Sequence, residues 1–210
     1  MNNLLFPDLL NNQVFENDEK NLEEIKYNNS LKKQFECYSI DFLEIQGVNT
    51  KDEVKKFNKS MGIIIPNYLL EHLVNFKIMS PYCFNLSSQF GNIILPVVGY
   101  SENKRSIFVP PEIIDKLMIC HGDKIDVDSV SLPKAKSLVI HATNEFAKLE
   151  NPKLVFEKNI RDRIIFEKNQ EIKITFAKKD YILKIKEITP CDVCCIRDTS
   201  IDLKFEFSDK

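Results

Sequence analysis

Three cysteines close together, Cys191, Cys194 and Cys195 in the run CDVCCI, come nearest in this sequence to a chemical site. A Cys-x-x-Cys knuckle offers two thiolates to a structural zinc, but a tetrahedral zinc needs four ligands, normally from a second knuckle or a pair of histidines. The chain has no second Cys-x-x-Cys, and His72, His121 and His141 stand far apart. Thioredoxin-type redox chemistry needs the motif to open a helix after a strand. CDVCCI instead reads as a strand of a C-terminal sheet, its cysteines packing as small apolar groups. Cys120 and His121 supply the two side chains of a cysteine nucleophile, yet sequence neighbours cannot be posed as nucleophile and base without special geometry. They read as the residues that close a helix, in a CHG turn before a strand. With five glycines in the chain, no phosphate-cradling GxxxxGK or GxGxxG can be written. No catalytic, cofactor-binding or metal-binding residue is assigned, and no cofactor is expected.

Composition narrows the class of protein. The chain has 210 residues, enough for one large domain or two small ones with a real core. Its formal net charge is −2, with Lys, Asp and Glu interspersed, which argues against a nucleic-acid or acidic-membrane surface. The longest apolar runs, such as Ile93–Val98, are strand-sized, far from the roughly 20 residues that span a bilayer. The start, MNNLLFPDLLNNQVFENDEK, has no basic region and is broken by Pro7 and Asp8, so it is a poor secretory signal. An intracellular, soluble protein is expected. Cys37, Cys83 and Cys120 sit among apolar or β-prone residues, where a free thiol is a small buried hydrophobe, so all cysteines are expected reduced.

These residues must be positioned by the elements around them. Residues 1–33 are rich in Asn, Glu and Lys and bury little apolar surface, so they are expected to form a mobile tail. A short helix over Asn21–Lys26 and docking of Leu4, Leu5 and Phe6 onto the folded body are both compatible with the pattern. From Phe35, FECYSIDFLEI alternates with a shift of phase, which predicts a bulged or twisted barrel strand. TKDEVKKFNKS reads as a charged loop ending near Gly62.

A repeat then appears. GIIIPNYLLEHL (Gly62–Leu73) and SIFVPPEIIDKL (Ser106–Leu117) match at an offset of 44, with Pro66 on Pro110, Leu69 on Ile113, Leu70 on Ile114, Glu71 on Asp115 and Leu73 on Leu117. After a one-residue gap, Tyr82, Phe84 and Leu86 fall on Ile125, Val127 and Ser129. Each copy reads as strand, proline, short helix, turn, strand. The proline removes a ladder donor and ends the strand, and its fixed φ suits a first helical turn. Leu69, Leu70 and Leu73, like Ile113, Ile114 and Leu117, form a one-sided apolar stripe, with Glu71 and Asp115 outward.

From residue 145 to residue 210 the texture is different. LENPKLVFEKNIRD predicts a helix with Asn151 as N-cap and Pro152 in the first helical position. RIIFEK, EIKITF, YILKIKEI, CDVCCI and DLKFEF follow as strands. Ile172, Ile174 and Phe176 alternate cleanly, as do Tyr181, Leu183 and Ile185, as in an antiparallel hairpin around AKKD with one wet face.

FECYSIDFL, MGIIIPNYLLEHLVNFKIMSPYCFNLSS, SIFVPPEIIDKL with GDKIDVDSVSLPKA, LENPKLVFEKNIRD and the closing order EIKITF, YILKIKEITP, DLKFEF are colinear over Phe35–Phe207 with one known family. In these stretches the chain resembles the amino-terminal ubiquitin-binding region of the ubiquitin fusion degradation protein 1 family. The resemblance implies a mixed, β-rich α+β protein: a double-psi β-barrel over residues 34–142, then a smaller α+β domain over 143–210. A double-psi barrel interlaces two copies of one strand-helix-strand unit, which is what the repeat provides. Double-psi barrels also include aspartic proteases and decarboxylases, but neither an Asp-Thr-Gly pair nor a Gly-Ser processing site is present.

The implied role is non-enzymatic: a ubiquitin- or polyubiquitin-binding adaptor that helps a AAA unfoldase extract ubiquitylated substrates for proteasomal and ER-associated degradation. An unrecognised double-psi-barrel enzyme is the alternative. In the family, contacts with the unfoldase and with the nuclear protein localization protein 4 homologue lie in a carboxyl tail that follows the point where this sequence ends, FEFSDK. The implied location is the cytoplasm, at the ER surface or in the nucleus. The long Asn-rich start fits remnant targeting sequence, and with it a specialised organelle that uses a degradation-type translocation machinery. Neither nucleic acid nor membrane insertion is implied. A ubiquitin receptor should offer exposed aliphatic side chains beside carboxylates; Tyr68–His72, Pro111–Asp115 and Leu203–Asp209 are the candidate segments, with no contact residue singled out.

Overall fold

The computed structural model describes residues 31–78 and 80–208. Strand β1 (Lys32–Ser39) leads into two helices, α1 (Asp41–Ile45) and α2 (Lys51–Ser60). A strand-helix-strand unit follows, β2 (Ile63–Pro66), α3 (Leu69–Asn75) and β3 (Cys83–Ser88). After β4 (Gly91–Ser101) the unit recurs as β5 (Ser106–Val109), α4 (Pro111–Leu117) and β6 (Lys124–Val130).

These strands close a barrel in the order β1-β5-β2-β4-β3-β6. Its pairing repeats by halves: β1 lies parallel to β5 and antiparallel to β6, while β4 lies parallel to β2 and antiparallel to β3. The equivalent strands meet one another antiparallel, β2 with β5 and β3 with β6. The duplication read from the sequence is therefore a duplication of structure about a pseudo-twofold axis. Alternate residues fill the interior: Ile63, Ile65, Phe84 and Leu86 from one half, and Ile107, Val109, Ile125 and Val127 from the other. Burying such side chains is worth about 1.5–3 kcal/mol each.

Two segments differ from the sequence expectation. FECYSIDFLEI is a strand only as far as Ser39; DFLEI is the helix α1, whose Leu43 is buried. The phase shift marks a change of element, not a bulge. TKDEVKKFNKS is helix, not loop, because Thr50 and Glu53 form a capping box: the Glu53 amide donates to Thr50 Oγ1 at 3.3 Å, and the Thr50 amide to Glu53 Oε2 at 2.8 Å. Val54, facing inward, is the buried apolar anchor of α2, which helical propensity and the cap otherwise sustain.

The expected tail, 1–33, with its possible helix at 21–26, lies outside the described residues up to residue 30. From Leu31 the chain belongs to the barrel: Leu31 is buried, and its amide donates to Ser129 Oγ at 2.8 Å.

The second part comprises β7 (Ser137–Thr143), α5 (Asn144–Ala147), α6 (Pro152–Ile160), β8 (Ile165–Glu167), β9 (Glu171–Phe176), β10 (Lys179–Thr189), β11 (Val193–Cys195) and β12 (Asp202–Ser208). A four-stranded sheet runs β12-β7-β10-β9, with β8 and β11 paired apart from it. Although the barrel is expected to extend over residues 34–142, β7 already pairs with β10 and β12, so hydrogen bonding leaves the barrel before Ser137. The hairpin β9–β10 forms as expected, its turn made by Ala177 and Lys178 at φ 50° and 64°. Asn151 caps α6, accepting from the Leu154 amide at 3.0 Å, with Pro152 in the first turn. Phe146, Phe156, Phe166 and Phe205 join these elements into a second core. The two parts meet at a small cavity of about 30 Å³ lined by Met61, Leu95 and Ile113 on one side and Arg163, Ile165 and Val193 on the other.

Candidate functional site

An open groove of about 260 Å³ lies beside the barrel between α1 and α4, lined by Ser39, Asp41, Phe42, Ile45, Pro111, Ile114, Asp115 and His121. Its construction starts at the end of β1, where the Ile40 amide donates to the Val109 carbonyl at 2.8 Å and fixes where α1 begins. Leu43 then points inward, so Phe42 and Ile45, three residues apart, share the face turned to the groove. Opposite them, Pro111 at the first turn starts α4, whose Ile113 and Leu117 enter the barrel core and whose Ile114 and Asp115 reach the groove.

The turn after α4 forms the third wall. α4 ends at the left-handed Met118, so Cys120 and His121 do not close it as expected; they belong to a separate turn. There the Cys120 amide donates to Asp123 Oδ2 at 2.8 Å, and the Gly122 amide to the Cys37 carbonyl at 2.9 Å. Gly122 sits at φ +93°, and a Cβ there would lie 3.3 Å from Tyr38 Oη, so glycine suits both the conformation and the space. The turn places His121 against the Phe42 ring, 4.8 Å between centroids, where its Nδ1 accepts from the Ser39 amide at 3.3 Å. A nitrogen engaged with the backbone is not posed as a base for Cys120.

The groove is therefore aliphatic and aromatic with carboxylates at its edges. Ile45 is 77 % exposed, and both Asp41 and Asp115 are exposed. Asp41 is steadied by Asn58 Nδ2, which donates to its Oδ1 at 3.0 Å. Of the three candidate segments, Pro111–Asp115 lines this groove. Tyr68–His72 opens α3 elsewhere on the barrel: Leu69 is buried, Leu70 is 38 % exposed, and Tyr68 carries the Lys33 ammonium over its ring at 5.0 Å. Leu203 and Phe205 of β12 pack half-buried on the second core, Phe207 is exposed and stacks on Phe205 at 5.8 Å, and Asp209 lies outside the described residues.

The cysteines do not converge on a site. Cys194 and Cys195 are buried on β11, which pairs with β8 in a ribbon of its own and not in the larger C-terminal sheet. Cys194 Sγ donates to the Cys191 carbonyl at 3.1 Å, and burial pushes both strand thiols up. Burial, reinforced by Asp123, pushes the Cys37 thiol up to about 12; burial and the Cys195 thiol do the same for Cys83. Cys120 and Cys191 are exposed, so for Cys120 the expectation of burial is corrected: it lies in the turn after α4, not in the helix or a strand. Among the described residues no group of three or more His, Cys, Asp or Glu is placed to hold a metal ion. None of their helices is long and apolar enough to cross a membrane.

Sequence reasoning missed Phe42 and Ile45 because α1 was read as strand. Thr50-x-x-Glu53 announces the start of α2, but it says nothing of α1, which precedes it.

A closed six-stranded barrel made of two interlaced strand-helix-strand units, joined to an α+β unit, is a double-psi β-barrel protein. Residues 31–133, which span that barrel, match the family model for ubiquitin fusion degradation protein UFD1, N-terminal subdomain 1. Residues 31–133 thus carry the amino-terminal subdomain of the ubiquitin fusion degradation protein 1 family. The chain is 24 % identical over 160 residues to a ubiquitin fusion degradation protein 1 homolog from Caenorhabditis elegans, an alignment covering 75 % of this chain and 47 % of that protein. The chain thus spans about half the length of the curated relative it matches.

Proposed function

We propose that this chain is a non-enzymatic adaptor that recognises ubiquitin, through the α1–α4 groove, and helps deliver ubiquitylated substrates to a AAA unfoldase for extraction and degradation. The observation that carries the reading is the meeting in one groove of the exposed Ile45, set beside the ring of Phe42 and the largely buried Ile114, with the carboxylates Asp41 and Asp115. Ubiquitin presents an apolar patch ringed by basic residues, so aliphatic contact and charge are complementary at once. Kinship with a relative named for ubiquitin fusion degradation supports the same reading. In the adaptor role the unfoldase and the nuclear protein localization protein 4 homologue are the further partners, and the setting is ER-associated degradation from the cytoplasm or nucleus. A specialised organelle with a degradation-type translocation machinery is the other setting the role fits.

An enzyme reading has less support. The barrel interior is filled by apolar side chains such as Phe84, Leu86 and Ile107, and His121 is held by the backbone of Ser39. Titration of isotope-labelled ubiquitin and ubiquitin chains by NMR tests the proposal. Saturable shifts on the ubiquitin apolar patch are expected, with reciprocal shifts at residues 39–45 and 111–121 of this chain. No shifts at millimolar concentration would reject ubiquitin recognition.

A further inference from the structure

The two halves of the barrel are not equally covered. Between β1 and β2 the chain inserts α1 and α2 over residues 40–62, whereas the equivalent connection, β4 to β5, is the short turn 102–105. On α4, Ile114 shares its groove with Phe42 and Ile45 of α1 and is 7 % exposed. Its counterpart on α3, Leu70, 44 residues earlier, is 38 % exposed, and Val74, one turn further along the same face, is 58 % exposed. Phe76, at the end of α3, is exposed as well. The duplication has left α3 with an apolar face for which the second half supplies no α1.

The position of the chain start indicates what fits there. Lys33, at the beginning of β1, lies over the Tyr68 ring at the entrance to α3, and Tyr68 packs on the same core as Leu31. Residues 1–30 therefore join the barrel beside the uncovered face. They carry Leu4, Leu5, Phe6, Leu9 and Leu10 in the run LLFPDLL, and six carboxylates against two lysines. Around α3, Lys33 and the exposed Lys77 carry positive charge beside the exposed carboxylate of Glu71. From residue 10 to residue 30 the chain reaches up to about 3.3 Å per residue, and lengthening such a connection adds only slowly to the entropy of closing it.

We propose that the α3 face formed by Leu70 and Val74 is a docking surface for the Leu4–Leu10 segment of the same chain, which takes the place that α1 holds over α4. In that arrangement the amino-terminal segment competes with any external partner for α3.

Methyl NMR on the full-length chain tests this. Expected are NOEs between the Phe6 ring and the Leu70 and Val74 methyls, lost in Val74→Glu and in Phe6→Asn, together with a rise in binding of an apolar fluorescent surface probe in Phe6→Asn. Because Val74 lies outside the buried cores described above, the unfolding midpoint serves as the control for folding and is expected to stay unchanged. Failure to see these NOEs, with probe binding unaffected by Phe6→Asn, would overturn the proposal. So would NOEs that persist in an isotope-filtered mixture of labelled and unlabelled chains, because they would assign the face to a second copy.

Discussion

Ile64 and Phe108, 44 residues apart and matched by the sequence repeat, face each other as partners on the antiparallel strands β2 and β5. The pseudo-twofold axis therefore passes through this pair. Their neighbours Ile63, Ile65, Ile107 and Val109 fill the barrel, so Ile64 and Phe108 point out of it. There they are only 2 % exposed, because Ile40 and Leu43 at α1 and Val54 of α2 cover them. The insertion that builds one wall of the groove thus also seals the axis.

Truncating the pair tests that construction. Phe108→Ala is expected to cost about 3–5 kcal/mol, the range for emptying a buried aromatic site, in urea unfolding. Ile64→Val should cost about 0.5–1.5 kcal/mol. A loss near zero for Phe108→Ala would mean that α1 and α2 do not pack on the axis.

Gly62 is a second structural test. A Cβ at this position would lie 2.7 Å from the Pro96 carbonyl oxygen, a backbone atom held in β4, and would also collide with the Val98 side chain. Gly62→Ala is expected to destabilise the barrel by about 1–3 kcal/mol, as overpacking does, although alanine is the better residue for most backbone conformations. Calorimetry that found a stabilised variant would contradict the close approach of β2 and β4.

The Thr50–Glu53 capping box gives a pH signature. Hydrogen bonds to the Glu53 carboxylate, first from the Thr50 amide, then from the Thr50 hydroxyl and Asn49, hold its pKa below the ordinary value. A carboxyl depressed in the folded state contributes stability above its unfolded pKa, and that contribution disappears as pH falls through the lower, folded value. Unfolding curves of the native chain and Glu53→Gln should therefore differ at neutral pH and converge in acid. Thr50→Ala, which removes the cap oxygen, should cost about 1 kcal/mol. Curves that stayed parallel from neutral pH into acid would rule out the box as the source.

The fold was legible where sequence period and punctuation agreed. Pro66 and Pro110 marked strand ends, Ile63–Ile65 and Ile107–Val109 marked buried strands, and the offset of 44 tied them together. The groove was legible on one side only. Pro111–Asp115 could be picked out as an aliphatic segment with carboxylates, but Phe42 and Ile45 were hidden in DFLEI. Five residues are too few for helical periodicity to show, and Phe42, Leu43 and Ile45 read equally well as β-formers. Nor could local pattern reveal that Leu70 and Ile114, equivalent in the repeat, differ in exposure; that depends on what a distant insertion covers.

Thiol reactivity separates the six cysteines. Nucleophilic attack needs the thiolate, and Cys37 and Cys83, pushed up to about 12 by burial, hold almost none of it at neutral pH. Cys194 and Cys195 are buried and shifted in the same direction. Brief alkylation of the native protein, read by peptide mass spectrometry, should label the exposed Cys120 and Cys191 and spare the other four until denaturant is added. Rapid labelling of Cys37 in the native state would show that β1 opens far more readily than its pairing with both β5 and β6 implies.

The groove itself is tested by substitutions that leave the cores alone. Ile45→Asp removes the exposed aliphatic anchor, and Asp115→Lys reverses the charge facing a basic partner. Each is expected to weaken ubiquitin binding about tenfold, or about 1.4 kcal/mol, with the unfolding midpoint unchanged because both side chains are exposed. Leu70→Asp on α3 is the control, since the pseudo-twofold matches Leu70 to Ile114 of the groove in the other half of the barrel. If binding follows the groove built by α1, the α1 and α4 variants lose affinity and the α3 variant keeps it. Equal losses at both helices would mean that recognition uses a feature common to the two halves, and that the insertion of α1 does not define the ubiquitin site.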